Sequence, residues 1–435
     1  MTERWLPVWR RSAQVDFVAP DEHPGLSQTI LLGGQHVLAM MGATVLGPML
    51  MGFDPNVSVL CSGVGTLLFF VLTGGRVPSY LGASFSFISL VIGLTHYSGH
   101  GINPDLAEAC GGIIVAGAIY AFIGLVVQFT GSGWIEKLMP PSVTGAVGAA
   151  IGLNLAPAAT HDLGTGGPGT ACGLFGLLVL AVCSVYAPPL LRRISVLIAL
   201  ALGTLLYAVL ANGLGLMPGI NLETIRQAPL FGMPHFTAPH FTGHAAALIA
   251  PVALVLVAEN LGHLKALGAM TGRSFDGLAG RAFMGDGLAT MLSAAVGGTA
   301  VTTYVENIGV MALSRVYSTL VFVVAALFAI GLGFSPFFGA VVRAIPDPVL
   351  SGVALGLFAM IAATMVRVWM DHRVDFTKPA TLFPVGVALI AGAGDLTINI
   401  GGVALGGITT ATLSAIILNQ LLARGSDLKE PPLAP

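Results

Sequence analysis

Three side chains in this sequence sit where ionisable groups are least welcome. Glu259 lies inside the apolar run VALVLVAENLGHLKA, His263 follows it one helical turn later, and Glu306 opens a second apolar run within TTYVENIGVMALSR. Residues four apart share one face of a helix, so Glu259 and His263 form a single polar patch. A carboxylate taken into lipid costs several kcal/mol unless it is paired, protonated or facing a water-filled cavity, and two of them point to a substrate and proton site. A buried pair that merely holds helices together is the structural alternative. A zinc protease is poorly supported, because the two-histidine HExxH spacing is absent.

The elements that position these groups follow from composition. Of 435 residues, 55% are hydrophobic and 9% charged, with a mean hydropathy of +0.88, which leaves too little polar surface to coat a soluble globule. No Asp, Glu, Lys or Arg occurs between Glu22 and Asp54, between Arg193 and Glu223, or between Asp395 and Arg424. Each stretch is long enough for a spanning helix of about 20 residues, so the fold class is an all-α polytopic membrane protein. The net charge is −2 and the basic residues are scattered singly, which argues against a nucleic-acid or acidic partner. Cys61, Cys110, Cys172 and Cys183 lie far apart in or beside apolar runs and read as packing residues, with no metal or other cofactor implied. Residues 1–27 lack the pattern of a signal peptide and read as a cytoplasmic tail, with Trp5 and Trp9 at the bilayer surface.

Hydropathy and Gly/Pro punctuation place fourteen spans near 28–49, 57–74, 78–95, 108–130, 139–156, 170–188, 194–213, 244–264, 283–298, 301–314, 317–333, 347–366, 380–394 and 403–423. With the loops numbered alternately, all of the 18 Lys and Arg residues except Arg226 and Arg343 fall on one side, which puts both termini in the cytoplasm. Two spans are unusual. The third opens GRVPSYLGASFSF and the tenth GGTAVTTYVEN, where Gly, Pro and β-branched residues favour extended chain that turns into a half-helix. Irregular backbone at that depth is tolerated only where protein or a cavity satisfies it, so both openings are expected to face a polar site. They are seven spans apart, as are LMPPSVTGAVGAAIGL (138–153) and AIPDPVLSGVALGLF (344–358). Repeats of seven spans enter the membrane in opposite directions, the 7+7 inverted plan of many secondary transporters, with Arg343 the counterpart of Lys137. The competing explanation is that apolar, Gly- and Pro-rich sequence always resembles itself.

Around the acids, Glu306 falls in the first turn of the tenth span's half-helix, where free N–H groups and the helix dipole favour an anion. Glu259 has no such terminus beside it, and protonation is its simplest remedy for burial, which makes it, with His263, the expected carrier of a coupling proton. Phe85 and Phe87 flank Ser86 on the third span and Tyr304 precedes Glu306 by two; an aromatic ring there could stack on a flat ligand or simply pack. Gln35 and His36 fall early in the first span and need partners, which places them behind the site. Asp286, at the start of the ninth span, reads equally as site support or as an ordinary helix-start acid. Carboxylate acceptors, backbone N–H donors at two half-helix starts and aromatic faces together suit a planar cyclic amide.

At these residues the chain resembles the nucleobase-ascorbate transporter family, also called nucleobase/cation symporter family 2. ENIGVMALSR (306–315) is similar to the family signature, with Ser314 where the family has Thr; GGQHVLAMMGATVLGP (33–48) resembles its first-span Gln-His motif and VAENLGHLKA (257–266) its eighth-span motif. The likeness covers about 28–423. GGRVPSYLG, WIEKLMPP, GDGLATMLS and RVYSTLVFV are most similar to its pyrimidine branch, the Rut-pathway permeases and the uracil–proton symporters. The resemblance implies a core domain of 28–131 and 244–334, a gate domain of 132–243 and 335–423, and cytoplasmic tails at 1–27 and 424–435. It implies that Glu259 and Glu306 hold the base, that His263 supports Glu259 directly or through water, and that the backbone N–H groups of Phe85 and Val305 donate to its carbonyls. Tyr304 lies beside them, and Gln35, His36, Ala43, Asp286 and Asn307 support the site. Uracil symporters often carry Gly where this chain has Val305, whose side chain would narrow the pocket. The function so implied is proton-coupled import of uracil or a related pyrimidine across a bacterial inner membrane, by a chain in contact with lipid, with a homodimer formed through the gate. A xanthine or purine permease of the same fold, or an intramembrane enzyme, are the alternative readings.

Overall fold

Long uncharged apolar runs become helices because a helix satisfies its own backbone where water cannot. In the computed structural model, which describes residues 5–12, 17–97, 99, 101–400 and 403–423, eight helices are long and apolar enough to cross a membrane, or nine when a bent pair is counted as one span. The expected tail at 424–435 and part of that at 1–27 lie outside the described residues. In chain order the elements that matter are α1 (Leu26–Met51), α2 (Pro55–Leu72), strand β1 (Leu81–Ala83), α3 (Ile88–Thr95) and α4 (Leu106–Thr130). They are followed by α5 (Pro141–Asn154), α6 (Pro168–Tyr186), α7 (Ser195–Ala208), α8 (Val252–Thr271), α9 (Ala279–Ala295), β2 (Val301–Thr303) and α10 (Val305–Ser314). Then come α11 (Thr319–Gly333), α12 (Asp347–Asp371), α13 (Pro379–Ala393), strands β3 (Ile398–Ile400) and β4 (Val403–Leu405), and α14 (Gly407–Ala423). Proline opens α2, α5, α6 and α13, where its missing N–H is one that a helix start leaves free in any case.

The described chain forms two compact units, one of residues 1–131 with 157–356 and the other of 132–156 with 357–435. In the first, α9 lies along α4 and α2, α11 lies along α2 and α1, and the short helix Gly243–Ile249 and α8 lie against α4. The α4–α9 contact is closest at glycines: a Cβ on Gly117 would stand 2.9 Å from the Gly287 carbonyl, and one on Gly124 2.8 Å from that of Gly280. Small residues let helix backbones approach where lipid offers no hydrophobic drive to pack them. In the second unit α13 packs against α5 and α14. Asn154 Nδ2 donates to the Gly392 carbonyl at 2.8 Å and to Asp395 Oδ1 at 3.1 Å, and Gly407 N–H donates to the same Asp395 oxygen at 3.0 Å.

Several boundaries differ from the hydropathy reading: α8 runs on to Thr271 and α12 to Asp371, past the expected 264 and 366, and two other differences have a local cause. The stretch 403–423 is not one helix, because β4 pairs antiparallel with β3 before α14 starts; β-branched and apolar residues look alike to a hydropathy window. Helix α9 begins at Ala279 rather than near 283. Gly280 and Arg281 depress the apolar pattern, but the first packs on Gln128 of α4 and the second lies over the Trp5 ring at 4.5 Å.

The two unusual spans are each a strand running into a short helix, as their composition predicts, and the two strands pair with each other. β1 and β2 are antiparallel with Leu81 opposite Thr303, Gly82 opposite Thr302 and Ala83 opposite Val301, and the ladder continues through Tyr304 N–H to Tyr80 O and Ser84 N–H to Ala300 O. A two-stranded ribbon leaves both outer edges unpaired, and hydroxyls of the flanking helices meet them. On α2, Thr66 Oγ1 accepts from Leu81 N–H at 2.9 Å and Ser62 donates to Leu81 O at 2.7 Å. On α9, Thr290 donates to Val301 O at 2.7 Å, and Tyr304 OH donates to Ala83 O at 2.7 Å. Gly82 has no room for a side chain: a Cβ would enter the Tyr304 ring and stand 2.8 Å from Thr44 Oγ1. Gly82→Ala is therefore expected to destabilise the fold by about 1–3 kcal/mol, measured as a lower melting temperature of the purified protein in detergent.

Candidate functional site

Helix α10 starts directly from β2. Tyr304 holds the N-cap position in extended backbone, Val305 is the first helical residue and Glu306 lies in the first turn, where the free N–H groups of a helix start stabilise an anion. Helix α8 carries Glu259 to the same place. The two carboxylates lie within electrostatic range of each other, and Ser86, from the 3₁₀ turn Phe85–Phe87 that joins β1 to α3, is a polar neighbour of Glu259. Both acids keep partial exposure. Gly262 and Gly309, one turn beyond each acid, are exposed, and a Cβ at either would meet nothing within 4 Å.

The aromatic and backbone groups divide. Phe85 is partly exposed, with its ring edge 3.2 Å from where a Gly47 Cβ would stand on α1, whereas Phe87 is fully buried. Val305 is 54% exposed, so at the start of α10 its side chain projects outward while its N–H sits at the helix terminus. Tyr304, a candidate to stack on a ligand, is buried, with its ring over Gly82 and its hydroxyl spent on the ribbon. It is a structural member of the strand pair and not a free aromatic face. The ring was legible in the sequence as an aromatic beside Glu306; the strand pairing that consumes it was not.

Two polar groups find other partners than their spacing predicts. His263 shares a face with Glu259, but its Nδ1 lies 2.7 Å from Thr303 Oγ1, which ties the imidazole to β2. Asp286 is not at a helix start; it lies mid-way along α9 and is fully buried. It accepts hydrogen bonds from Asn260 Nδ2, from Tyr120 OH at 3.4 Å and from Thr303 N–H at 3.4 Å. It thus supports the ribbon edge from behind, because α9 begins earlier than its polar first residues suggest. Asn260 and Thr303 escaped the sequence reading, and Ser86 entered it only as the residue between two aromatics; Asn260 could have been found as a second polar residue beside Glu259 in an apolar run.

Helix α1 braces α10. Asn307 Nδ2 donates to the His36 carbonyl at 3.2 Å and lies 3.0 Å from His36 Nδ1, while the His36 ring tilts against Phe322 of α11 with centroids 4.7 Å apart. Gln35 is partly exposed, and Ala43 is buried on α1 next to Thr44, which faces Gly82. A cavity of about 160 Å³ opens elsewhere in the same unit, lined by Gly52, Asp54, Tyr97, Arg343 and Asp347, where Arg343 Nη1 meets Asp54 Oδ1 at 3.4 Å.

A model described as the Permease family matches residues 27–401. The chain is 52% identical over 422 residues, 96% of each chain, to the "Putative pyrimidine permease RutG" of Escherichia coli (strain K12). It is 38% identical over 414 residues to a uracil permease of Paenibacillus larvae, covering 92% of this chain and 94% of that one. Among solved structures it is similar to murine Slc26a9, an anion transporter in the inward-facing state, with a TM-score of 0.65 at 12% identity over 92% of this chain and 69% of that one. It is also similar to the transmembrane domain of the cyanobacterial bicarbonate transporter BicA, with a TM-score of 0.59 at 15% identity over 93% of this chain and all of the other. At such identities these two likenesses speak for the fold alone. Acids paired across two helices at interrupted spans, in a multi-pass membrane chain with these relatives, place the protein in the nucleobase-ascorbate transporter family, and it is a transporter rather than an enzyme.

Proposed function

We propose that this protein is a proton-coupled importer of uracil or a closely related pyrimidine across the bacterial inner membrane. The observation that carries the reading is the meeting of Glu259 and Glu306, from α8 and α10, beside a helix N-terminus. A planar cyclic amide presents alternating N–H donors and carbonyl acceptors. Glu259 and Glu306 accept from its N–H groups, and the free N–H groups at the starts of the Phe85–Phe87 turn and α10 donate to its carbonyls. The chain's likeness to a pyrimidine permease and a uracil permease supports this substrate class.

Two carboxylates so close cannot both hold a charge cheaply in a medium that screens poorly. Glu306 has the helix terminus to stabilise its anion; Glu259 does not, so a proton taken from outside resides on Glu259, and its loss inside releases the base. His263 acts through Thr303, tying α8 to the ribbon. The fourteen-segment inverted repeat, with core (28–131, 244–334) moving against gate (132–243, 335–423), completes an alternating-access cycle. In support, β1 and β2 pair with Gly82 opposite Thr302; β1 leads through Ser84 and the Phe85–Phe87 turn into α3, and β2 through Tyr304 into α10, each helix ending at a left-handed residue, His96 or Arg315. The packing of α9 on α4 and of α11 on α2 likewise exchanges under the same symmetry. Both termini are cytoplasmic on this reading, with the gate the surface for any homodimer.

In proteoliposomes with an imposed pH gradient, labelled uracil is expected to accumulate. Unlabelled uracil and thymine are expected to compete at least about tenfold better than xanthine or hypoxanthine, each factor of ten corresponding to about 1.4 kcal/mol; stronger competition by xanthine would replace the substrate and leave the family. Glu259→Gln is expected to abolish uphill accumulation while exchange of internal for external uracil persists, and normal accumulation by that variant rules out the assigned proton carrier. Gly309→Val, which adds bulk beside Glu306, is expected to raise KM for uracil by about tenfold with little change in melting temperature, since a Cβ there meets nothing within 4 Å.

A further inference from the structure

The two acid-bearing helices share more than the site between them. Helix α10 is only ten residues long, too short to hold its position by backbone bonds alone. Its first turn grows from the ribbon. Its last residue gives way to Arg315 in the left-handed region, φ 54°, after which the chain turns towards α11. That exit is held by the N-terminal segment of the chain. Val18 N–H donates to the Arg315 carbonyl at 3.0 Å, and Tyr317 N–H donates to the Val18 carbonyl at 2.9 Å, so Val18 and Val316 pair as parallel strand residues. Val18 is 1% exposed. Phe17 lies against the Tyr317 ring with centroids 5.4 Å apart, and Thr319 donates both its N–H and its hydroxyl to the Pro20 carbonyl, each at 3.0 Å.

The same segment then reaches the other helix. Asp21 Oδ1 lies 2.7 Å from Arg273 Nη2, two residues beyond the end of α8, which carries Glu259 and His263. Residues 17–21 therefore bridge the exits of α8 and α10, with Val18 paired in extended backbone and the chain then turning at Pro20 and Asp21, closed by Glu22 N–H to Ala19 O at 3.0 Å. Resting on the transport reading above, we propose that this segment is a clasp that sets the separation of Glu259 and Glu306, with Val18 and Asp21 as positioning residues for the substrate. A recognition site must hold its groups to within about 0.5 Å, and rigid supports outside the contact set supply that precision. The buried backbone bonds at Val18 are the stronger tie, since the Asp21–Arg273 pair is half exposed and screened by solvent.

The test compares Val18→Pro, which removes the N–H that meets Arg315, with Val8→Pro, a proline in the same segment at an exposed position outside the clasp. Uracil uptake is measured in proteoliposomes, and the α8–α10 separation by pulsed EPR between spin labels at Gly262→Cys and Gly309→Cys in a background without the native cysteines. Val18→Pro is expected to raise KM about fivefold with the maximal rate within about twofold of wild type, and to shift or broaden the label separation, while Val8→Pro does neither. If Val18→Pro does not accumulate in the membrane, Asp21→Ala/Arg273→Ala is expected to move both readouts in the same direction, and Asp21→Arg/Arg273→Asp to restore them. An unchanged separation overturns the clasp, as does a lowered melting temperature with KM unchanged. Absence of uracil uptake by the wild-type chain would overturn the transport reading instead, and the label separation still decides the clasp.

Discussion

A two-stranded ribbon enclosed in an apolar bundle has backbone groups that nothing in lipid can satisfy, and the architecture around the site follows from meeting them. The inner groups of β1 and β2 pair with each other; the outer ones are met by Ser62 and Thr66 on one side and by Thr290 and Asp286 on the other. Each of those side chains has to stand at a set height on α2 or α9, so the ribbon dictates the register of both helices. The glycines that let α9 approach α4 then place Asp286 behind β2. Removing one hydroxyl would leave a buried peptide group unpaired, which costs more than the bond itself contributes.

The benefit of tolerating strands there is two helix N-termini in the interior. A continuous helix presents its free N–H groups only at its ends, near the surface; a helix broken by a strand presents them part-way along. α10 uses its terminus at Glu306, and the Phe85–Phe87 turn offers another beside Ser86. On the proposed reading these donors and the two carboxylate acceptors serve one ligand, and selectivity comes from hydrogen-bond pattern rather than net charge.

Where sequence reasoning and structure part, they do so at tertiary contacts. Tyr304 looks in sequence like an aromatic beside an acid, and in the structure it is the lid on Gly82. His263 looks like the partner of Glu259, because spacing shows which face a residue occupies and not which way its ring turns. Asp286 looks like a helix-start acid, because Gly280 and Arg281 lower the local hydropathy although both are helical and packed. Trp5 and Trp9 resemble interfacial anchors. In the fold their indoles donate to the Val71 carbonyl and to Thr319 Oγ1, at 2.8 and 2.9 Å, and Trp9 stacks on Phe70.

By itself the sequence determined that the chain spans a membrane many times, that its third and tenth apolar stretches are broken by extended backbone, and that Glu259 and Glu306 are out of place in lipid. Each of these is a local property: hydropathy, the β-propensity of TAVTTY, and the cost of a buried carboxylate can all be read from a window of a few residues. Only the tertiary structure decided that the two strands pair with each other, that Asp286 and Thr303 support them, and that the N-terminal segment joins the exits of α8 and α10. Asp286 reaches Thr303 across 17 positions, but the strand pairing and the N-terminal contacts connect residues hundreds of positions apart, and nothing in the residue types of either partner specifies the other until packing brings them into reach.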